Sequence, residues 1–317
     1  MTDHLDVAGI SVSPAHYIAG KRVASFETFE LFSPIDQRSL GRISAGLDEH
    51  VDAALTAADD AFPAWSSLSA LERKVYLDRF AAEIGKRADA FCQLESNDAG
   101  VLLSRMRHGV VPRSMLNITY FAKHALKLQD RPIDTDQAHH IVRHDPAGIA
   151  AIITPWNAPL MLGTWKLGPA LAAGNTVIIK PPEWAPLTMS LLADCADAAG
   201  LPPGVLNIVQ GHGTTTGARL VSDPRLARIS FTGSVPTARK IAQVAGANLV
   251  PVSLELGGKS PFIVLEDADI DSAAATGALM YRNAGQVCLA GTRFLVHEKI
   301  AEPFTVAMRA YVEKLRI

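Results

Sequence analysis

Residues 148–157 read Gly148-Ile149-Ala150-Ala151-Ile152-Ile153-Thr154-Pro155-Trp156-Asn157. Six residues without a polar side chain give way at once to Thr-Pro, an aromatic and an amide. A continuous apolar run of this length is how a strand buried on both faces reads, and the proline stops it. The same pattern recurs outward from this stretch. Apolar runs at 176–179, 205–209 and 228–231 are strand-like. The first ends in Lys180-Pro181-Pro182-Glu183 and the last in Thr232-Gly233-Ser234. Helix-like stretches follow near 162–173, 185–199, 214–222 and 236–246. Such alternation predicts an open α/β sheet of parallel strands, in which ligands bind beyond the carboxyl ends. Polar residues at 154–157, 180–183 and 232–234 all fall at such ends.

Upstream, residues 1–47 read as short strands and turns punctuated by Pro34, Gly41 and Gly46. Helices are predicted at 48–64, 69–87, 88–98 and about 108–127. The second opens with Ser69-Ala70-Leu71-Glu72, a capping-box spacing, and Leu77, Phe80 and Ile84 recur at helical intervals. Residues 128–146 stand outside the alternation. Pro132, Asp134 and Asp136 predict a turn and His140-Ile141-Val142-Arg143 a strand, together a protruding β-hairpin arm. Unpaired strand edges need a partner, so the arm is expected to support oligomerisation. Downstream of Glu255 come a strand at 261–265, a helix near 269–282, a cysteine-bearing loop, a strand at 293–296 and a helix near 299–315.

The 317 residues are 48% hydrophobic and 20% charged, with net charge −2. This predicts about two domains with a sizeable core. No Lys/Arg-dense block supports binding to nucleic acid. The most apolar region, 147–180, is interrupted by Pro155, Asn157, Pro159 and Lys166, which argues against a membrane span. The acidic amino terminus lacks a signal-peptide core. A cytoplasmic location is expected. Cys92, Cys195 and Cys288 are odd in number and widely spaced, against a disulfide framework or zinc site. Cys92 and Cys195 lie in helical patterns and read as packing. His139, His140 and His144 are close in sequence, and on one extended strand His140 and His144 would share a face. They are expected to be structural, and no metal site is predicted. Gly211-His212-Gly213-Thr214-Thr215-Thr216-Gly217 misses a Gly-x-Gly-x-x-Gly spacing by one residue and reads as a turn into a helix.

Two residues carry the reactive chemistry. Cys288 closes Asn283-Ala284-Gly285-Gln286-Val287-Cys288, after a glycine that brings backbone close to a ligand. Glu255 opens Glu255-Leu256-Gly257-Gly258-Lys259-Ser260, at the end of the mostly apolar run 250–254. A thiolate attacks a carbonyl carbon, and a carboxylate can activate water to release the resulting thioester. The pair predicts covalent chemistry on an aldehyde.

Five motifs, Thr154-Pro155-Trp156-Asn157, Lys180-Pro181-Pro182-Glu183, Phe231-Thr232-Gly233-Ser234, the Glu255 stretch and Gly285-Gln286-Val287-Cys288, occur in the order found in NAD(P)-dependent aldehyde dehydrogenases. The chain resembles that family over roughly 25–317. The resemblance implies an α/β protein with a Rossmann-like NAD-binding domain at 1–127 and 147–254. It further implies an oligomerisation arm at 128–146 and the start of a second α/β catalytic domain at 255–317. It implies oxidation of an aldehyde to a carboxylic acid through a Cys288 thiohemiacetal and thioester. Glu255 would activate water, and its presence favours release of a free acid over transfer to coenzyme A. Asn157 would donate to the oxyanion together with the Cys288 N–H. Thr154, Pro155, Trp156, Lys180, Glu183, Gly233, Ser234 and Leu256 would contact the cofactor. A carboxylate at Glu183 repels a 2′-phosphate, so NAD is expected ahead of NADP. Ala238 replaces the second glycine of the family's Gly-x-x-x-x-Gly pattern. Ala158, Leu162, Trp165, Val287 and Leu289 would flank an apolar channel, suited to an apolar or aromatic aldehyde or a semialdehyde.

Members of the family extend past the position of Ile317, into a Glu-x-Phe-Gly-Pro motif that holds the nicotinamide ribose. The chain therefore reads as carboxyl-terminally truncated, with a homodimer or homotetramer expected for the full-length protein. The alternative expectation is a catalytically weak dinucleotide-binding or subunit-pairing fragment.

Overall fold

Five apolar runs and one amino-terminal hairpin build a single seven-stranded sheet. Its order is Val252–Leu256, Leu226–Gly233, Ile149–Ile153, Thr176–Lys180, Leu206–Ile208, His16–Ile18 and Lys21–Val23. The computed structural model describes residues 4–128 and 130–315. Expectations that fall on residues 1–3, 129 and 316–317 lie outside the described residues. Two units are distinguished, Met1–Glu255 and Leu256–Ile317. Among the described residues no helix is long and apolar enough to cross a membrane.

The Ile149 strand pairs in parallel with the Thr176 strand on one side and the Leu226 strand on the other. The Leu206 strand continues the parallel set beside Thr176–Lys180. All residues of Ile149–Ile153 and Thr176–Lys180 are buried, as their unbroken apolar runs predict. Each large aliphatic side chain so buried stabilises by about 1.5–3 kcal/mol. That gain offsets the cost of carrying the Lys180 ammonium into the same strand. The sheet does not stop at Leu206–Ile208. His16–Ile18 pairs with it antiparallel, and Lys21–Val23 pairs with His16–Ile18 in the same sense. A three-residue strand carries too little periodicity for this pairing to be legible in the sequence.

Register decides where the motifs emerge. Ile153 stands opposite Lys180 on one side and Phe231 on the other. Thr154, Pro181 and Thr232 therefore stand level at the carboxyl ends of three adjacent strands. Strand order runs outward from Ile149–Ile153 to Leu206–Ile208, then returns to place Leu226–Gly233 on its other side. The reversal between the Ile149 and Leu226 strands is the switch point where such sheets bind ligands.

Helices pack on this sheet as their patterns dictate. The core includes Trp65, Leu77, Phe80, Ile84, Phe91 and Ile118 together with Val177 and Ile179 of the sheet. The Ala70–Lys86 helix starts with the predicted capping box. Ser69 Oγ accepts from Glu72 N at 3.2 Å, and Glu72 Oε2 accepts from Ser69 N at 2.7 Å. The helix expected over 108–127 differs. An α-helix occupies Val111–Ala125, and a π-turn at Met106–Val110 precedes it. Helical backbone already runs through Leu103–Arg105 and the π-turn into Pro112, and the widened turn accommodates the proline's ring and missing N–H. The stretch expected as a helix at 214–222 is likewise divided, into a π-turn at Gly213–Gly217 and a helical turn at Ala218–Val221.

The arm is a hairpin of Arg131–Asp134 with His139–Val142, every residue of both strands being exposed. His139 Nδ1 pairs with Asp134 across the hairpin. His144 lies beyond the strand end at Val142, so it does not share a strand face with His140.

The smaller unit pairs Ser260–Val264 in parallel with Gly291–Val296. Val264, Ala274 and Phe304 form its core, and the tilted rings of Phe262 and Phe294 lie 5.2 Å apart. Asp269 caps the Ile270–Ala278 helix, accepting from Ser272 N at 2.7 Å. The helix expected to 282 stops at Ala278. A 3-10 run to Gly285 follows, broken by non-helical backbone at Arg282, Asn283 and Ala284.

Candidate active site

The carboxyl edge of the larger unit gathers most of the predicted site residues. Thr154 is buried, its N–H donates to the Lys180 carbonyl at 3.3 Å, and its Oγ1 has no hydrogen-bond partner. Thr232 Oγ1, on the other side of the switch point, is also buried and unpartnered. Buried polar atoms are nearly always satisfied, so two orphaned hydroxyls at one strand edge mark a place built for another polar molecule. Pro155 is buried, Asn157 is half-buried, and the Trp156 ring stands 6.3 Å from that of Trp184. The chain then enters the Pro159–Ala172 helix through Ala158.

Lys180 is only 1% exposed. Its Nζ donates to the Pro181 carbonyl and lies 3.5 Å from Glu183 Oε2. Burial pushes the ammonium down from its ordinary pKa, and the Glu183 carboxylate opposes that shift. A methyl on Gly217 would touch the Lys180 Cδ at 3.4 Å, so the 213–217 turn packs on the lysine stem.

Gly233 has a steric reason to be glycine, because a Cβ there would meet the Phe231 ring at 2.4 Å. Ser234 caps the Val235–Ala247 helix, its Oγ accepting from Thr237 N at 3.4 Å, and Pro236 sits in the first turn. Ala238 is buried, so its extra methyl is absorbed by packing within the unit.

Glu255 is exposed on the Val252–Leu256 strand, and Leu256 is half-buried. Sequence reasoning gave Lys166 no role. Its Nζ donates to Ser230 Oγ at 2.8 Å, burial lowers its pKa, and the charge of Glu255 pulls the other way. Arg113 was also missed. Its guanidinium lies 4.9 Å from the Trp165 ring centre, and its Nε donates to Asn117 Oδ1 at 3.0 Å. Asn117 is held by Met161 O at 3.1 Å and Thr164 Oγ1 at 3.3 Å. A fixed cation therefore stands beside a residue expected to line an apolar channel. Proximity across about 50 residues of chain gave the sequence no signal for it.

In the smaller unit Cys288 is exposed, whereas Cys92 and Cys195 of the larger unit are buried. Burial raises both of those thiols, Cys195 up to about 12, which leaves them inert. Asn283, Ala284 and Gly285 precede Cys288 with φ of 55°, 54° and 73°, three successive left-handed residues. Gln286 N donates to Asn283 O at 3.0 Å and Val287 N to Gly285 O at 2.9 Å, closing the turn. A Cβ on Gly258 would lie 3.8 Å from the Cys288 carbonyl oxygen, so the Gly257-Gly258 turn runs beside this loop. Val287 is half-buried and Leu289 is exposed. The larger unit thus carries the amide, the carboxylate and the strand-edge residues, and the smaller one the accessible thiol.

Comparison with known proteins adds four findings. A family model described as "Aldehyde dehydrogenase family" matches residues 22–317. The 2-aminomuconic semialdehyde dehydrogenase of Mus musculus is 39% identical over 306 residues, 95% of this chain and 62% of its own length. The mitochondrial benzaldehyde dehydrogenase of Antirrhinum majus is 39% identical over 292 residues, covering 90% of this chain and 55% of its own. A crystal structure of indole-3-acetaldehyde dehydrogenase complexed with NAD+ superposes with TM-score 0.95 at 35% identity, over 98% of this chain and 64% of that one. The chain thus spans less than two thirds of the length of the relatives it matches.

Proposed function

This chain belongs to the aldehyde dehydrogenase family, and from that premise we propose that the protein oxidises an aldehyde to a carboxylic acid with NAD. The observation that carries this reading is the register that brings Thr154, Pro181 and Thr232 to one edge beside the switch point. The two orphaned hydroxyls there fit a polar cofactor. The N-terminus of the Val235–Ala247 helix suits a pyrophosphate. Thr154, Pro155, Trp156, Gly233, Ser234 and Leu256 contact the dinucleotide, and Lys180 and Glu183 hold its adenosine ribose. The Glu183 carboxylate disfavours a 2′-phosphate and so favours NAD over NADP. The NAD+ in the indole-3-acetaldehyde dehydrogenase structure supports a nicotinamide dinucleotide as the cofactor.

Bound NAD supplies the acceptor for hydride. The remaining work falls to the chain. The Cys288 thiolate bonds to the aldehyde carbon, giving a thiohemiacetal whose oxyanion accepts from the Asn157 amide and the Cys288 N–H. Loss of hydride from that carbon leaves a thioester. Glu255 takes a proton from water, the water oxygen attacks the thioester carbon, and the thiolate leaves.

Arg113 over Trp165 supports an aldehyde that carries a carboxylate, a semialdehyde, ahead of a wholly apolar one. Similarity to 2-aminomuconic semialdehyde dehydrogenase accords with this. The test compares kcat/KM for a carboxylate-bearing semialdehyde and a neutral aldehyde of the same length, in wild type and Arg113→Met. The loss expected is about 10–100-fold on the charged substrate alone. Equal losses on both substrates would remove the carboxylate assignment. Ile133, Ile141 and Val142 are exposed on the arm, which supports pairing with a second copy as a homodimer or homotetramer. Three unbridged cysteines accord with a reducing, cytoplasmic location.

A further inference from the structure

The Ala88–Ala99 helix carries two acids one turn apart, Glu95 and Asp98, and both are buried, 0% and 2% exposed. Each spends one oxygen on neighbouring helices, Glu95 on two of them and Asp98 on one. Glu95 Oε2 accepts from Leu160 N at 3.1 Å and from Thr188 Oγ1 at 3.1 Å. Asp98 Oδ2 accepts from Leu187 N at 2.9 Å. Leu160 lies in the first turn of Pro159–Ala172, and Leu187 opens Leu187–Ala199. These are the helices entered from the two loops that bear Asn157 and Lys180-Glu183.

Neither helix can cap itself. Their N-cap residues are Ala158 and Pro186, and neither makes a side-chain cap bond. The first N–H groups of a helix have no intrahelical acceptor, and leaving one buried and unmet is costly. The acceptors come instead from a third helix, 65 and 89 residues earlier in the chain. Burying two carboxylates is itself unfavourable. Desolvation pushes Glu95 up to about 7 and raises Asp98 well above its ordinary range. An apolar pair would spare that cost and leave both helix starts unfixed.

We propose that Glu95 and Asp98 are positioning residues that cap, from outside, the two helices behind the ligand-bearing loops. Glu95 fixes the 154–158 turn and with it the Asn157 amide. Asp98 fixes the 180–186 turn and with it Lys180 and Glu183. The roles of those loops rest on the function proposed above; the capping itself does not.

Four variants test it. Glu95→Met and Asp98→Leu remove the acceptor at nearly constant volume, whereas Glu95→Gln and Asp98→Asn keep an oxygen that accepts the same N–H. In hydrogen exchange followed by mass spectrometry, Glu95→Met raises uptake in peptides covering 158–164, and Asp98→Leu in those covering 185–191. In kinetics, Glu95→Met lowers kcat by about 10–100-fold and raises KM for NAD as well, since Thr154, Pro155 and Trp156 share the loosened turn with Asn157. Asp98→Leu raises the Kd and KM for NAD by about tenfold with kcat little changed. The amide variants return each value towards wild type. Equal exchange increases in both helix starts from either variant, or amide variants as impaired as the apolar ones, would overturn the proposal. Should an apolar variant fail to fold, the wild-type protein decides: the Leu160 and Leu187 amides must exchange slowly, and fast exchange at either refutes it. A wild type that forms no NADH from any aldehyde sinks the functional reading, while the exchange experiment still judges the caps.

Discussion

Lys180 and Cys288 are held in opposite ways. Lys180 ends a strand of five buried residues, is 1% exposed, and hands its ammonium to Pro181 and Glu183. Cys288 is exposed, on a loop shaped by three successive left-handed residues. The contrast extends to the units that contain them. Among the described residues every buried polar or charged side chain lies in the larger unit, His16, Glu95, Asp98 and Lys180 included. The smaller unit has a core of Val264, Ala274 and Phe304 and no buried polar side chain among those described. Burial can fix a charged group within a few tenths of an ångström, but it removes that group from reach. A nucleophile must stay reachable, so its place is set by backbone conformation instead.

The largest expected effect separates the two units by function. Cys288→Ala should lower NADH formation on the order of 10⁴-fold, as removal of a covalent nucleophile does elsewhere. NAD binding, read by calorimetry, should be unchanged, because the residues proposed to hold the adenosine side belong to the larger unit. Loss of NAD affinity in this variant would break the division of labour.

A second test asks whether pH acts on the stability of the larger unit through its buried acids. Glu95 is pushed up by burial from 4.5 to about 7. Between those values the folded state holds a proton that the unfolded chain releases. This contribution to stability is therefore present below about pH 4.5 and lost as pH rises through 7. His16 pushes the opposite way, since burial lowers its imidazole to about 3. The comparison of wild type with Glu95→Gln cancels that common term. Relative to the variant, wild type should lose a few kcal/mol of stability from pH 4.5 to 8. Urea denaturation followed by tryptophan fluorescence reads this cleanly, because Trp65, Trp156, Trp165 and Trp184 all lie in the larger unit. A pH-independent difference would show that Glu95 keeps the same charge in the folded and unfolded chain.

The same contrast explains what the sequence could and could not show. Buried parallel strands announce themselves as unbroken apolar runs, so the Ile149 and Thr176 strands and the residues at their ends were legible, and the more polar Leu226 strand was placed by its part in the alternation. Ser69 and Glu72 were legible because a capping box is local. Glu95 and Asp98 read as ordinary helix residues, since the N–H groups they serve come 65 and 89 positions later. Arg113 and Lys166 were missed for the same reason, as Trp165 and Ser230 lie far along the chain. The left-handed turn before Cys288 was half legible. Gly285 announced only a close approach of backbone to a ligand, whereas Asn283 and Ala284 adopt positive φ without a glycine's freedom.

Ala284 gives the smallest test and the one that bears most directly on the cysteine loop. Its φ of 54° places its Cβ against the following carbonyl, at a cost of about 1–2 kcal/mol for a residue other than glycine. The side chain is exposed, so replacement removes no packing. Ala284→Gly relieves the clash and adds backbone freedom to the unfolded chain, worth about 0.5–1 kcal/mol in the other direction. The net gain should be under about 1 kcal/mol, measured as slightly slower hydrogen exchange in peptides of the smaller unit that cover residues 279–296. Ala284→Val should destabilise, because a β-branched residue tolerates positive φ worst. If glycine destabilises and valine does not, the left-handed turn is absent in solution, and Cys288 is held by something other than backbone conformation.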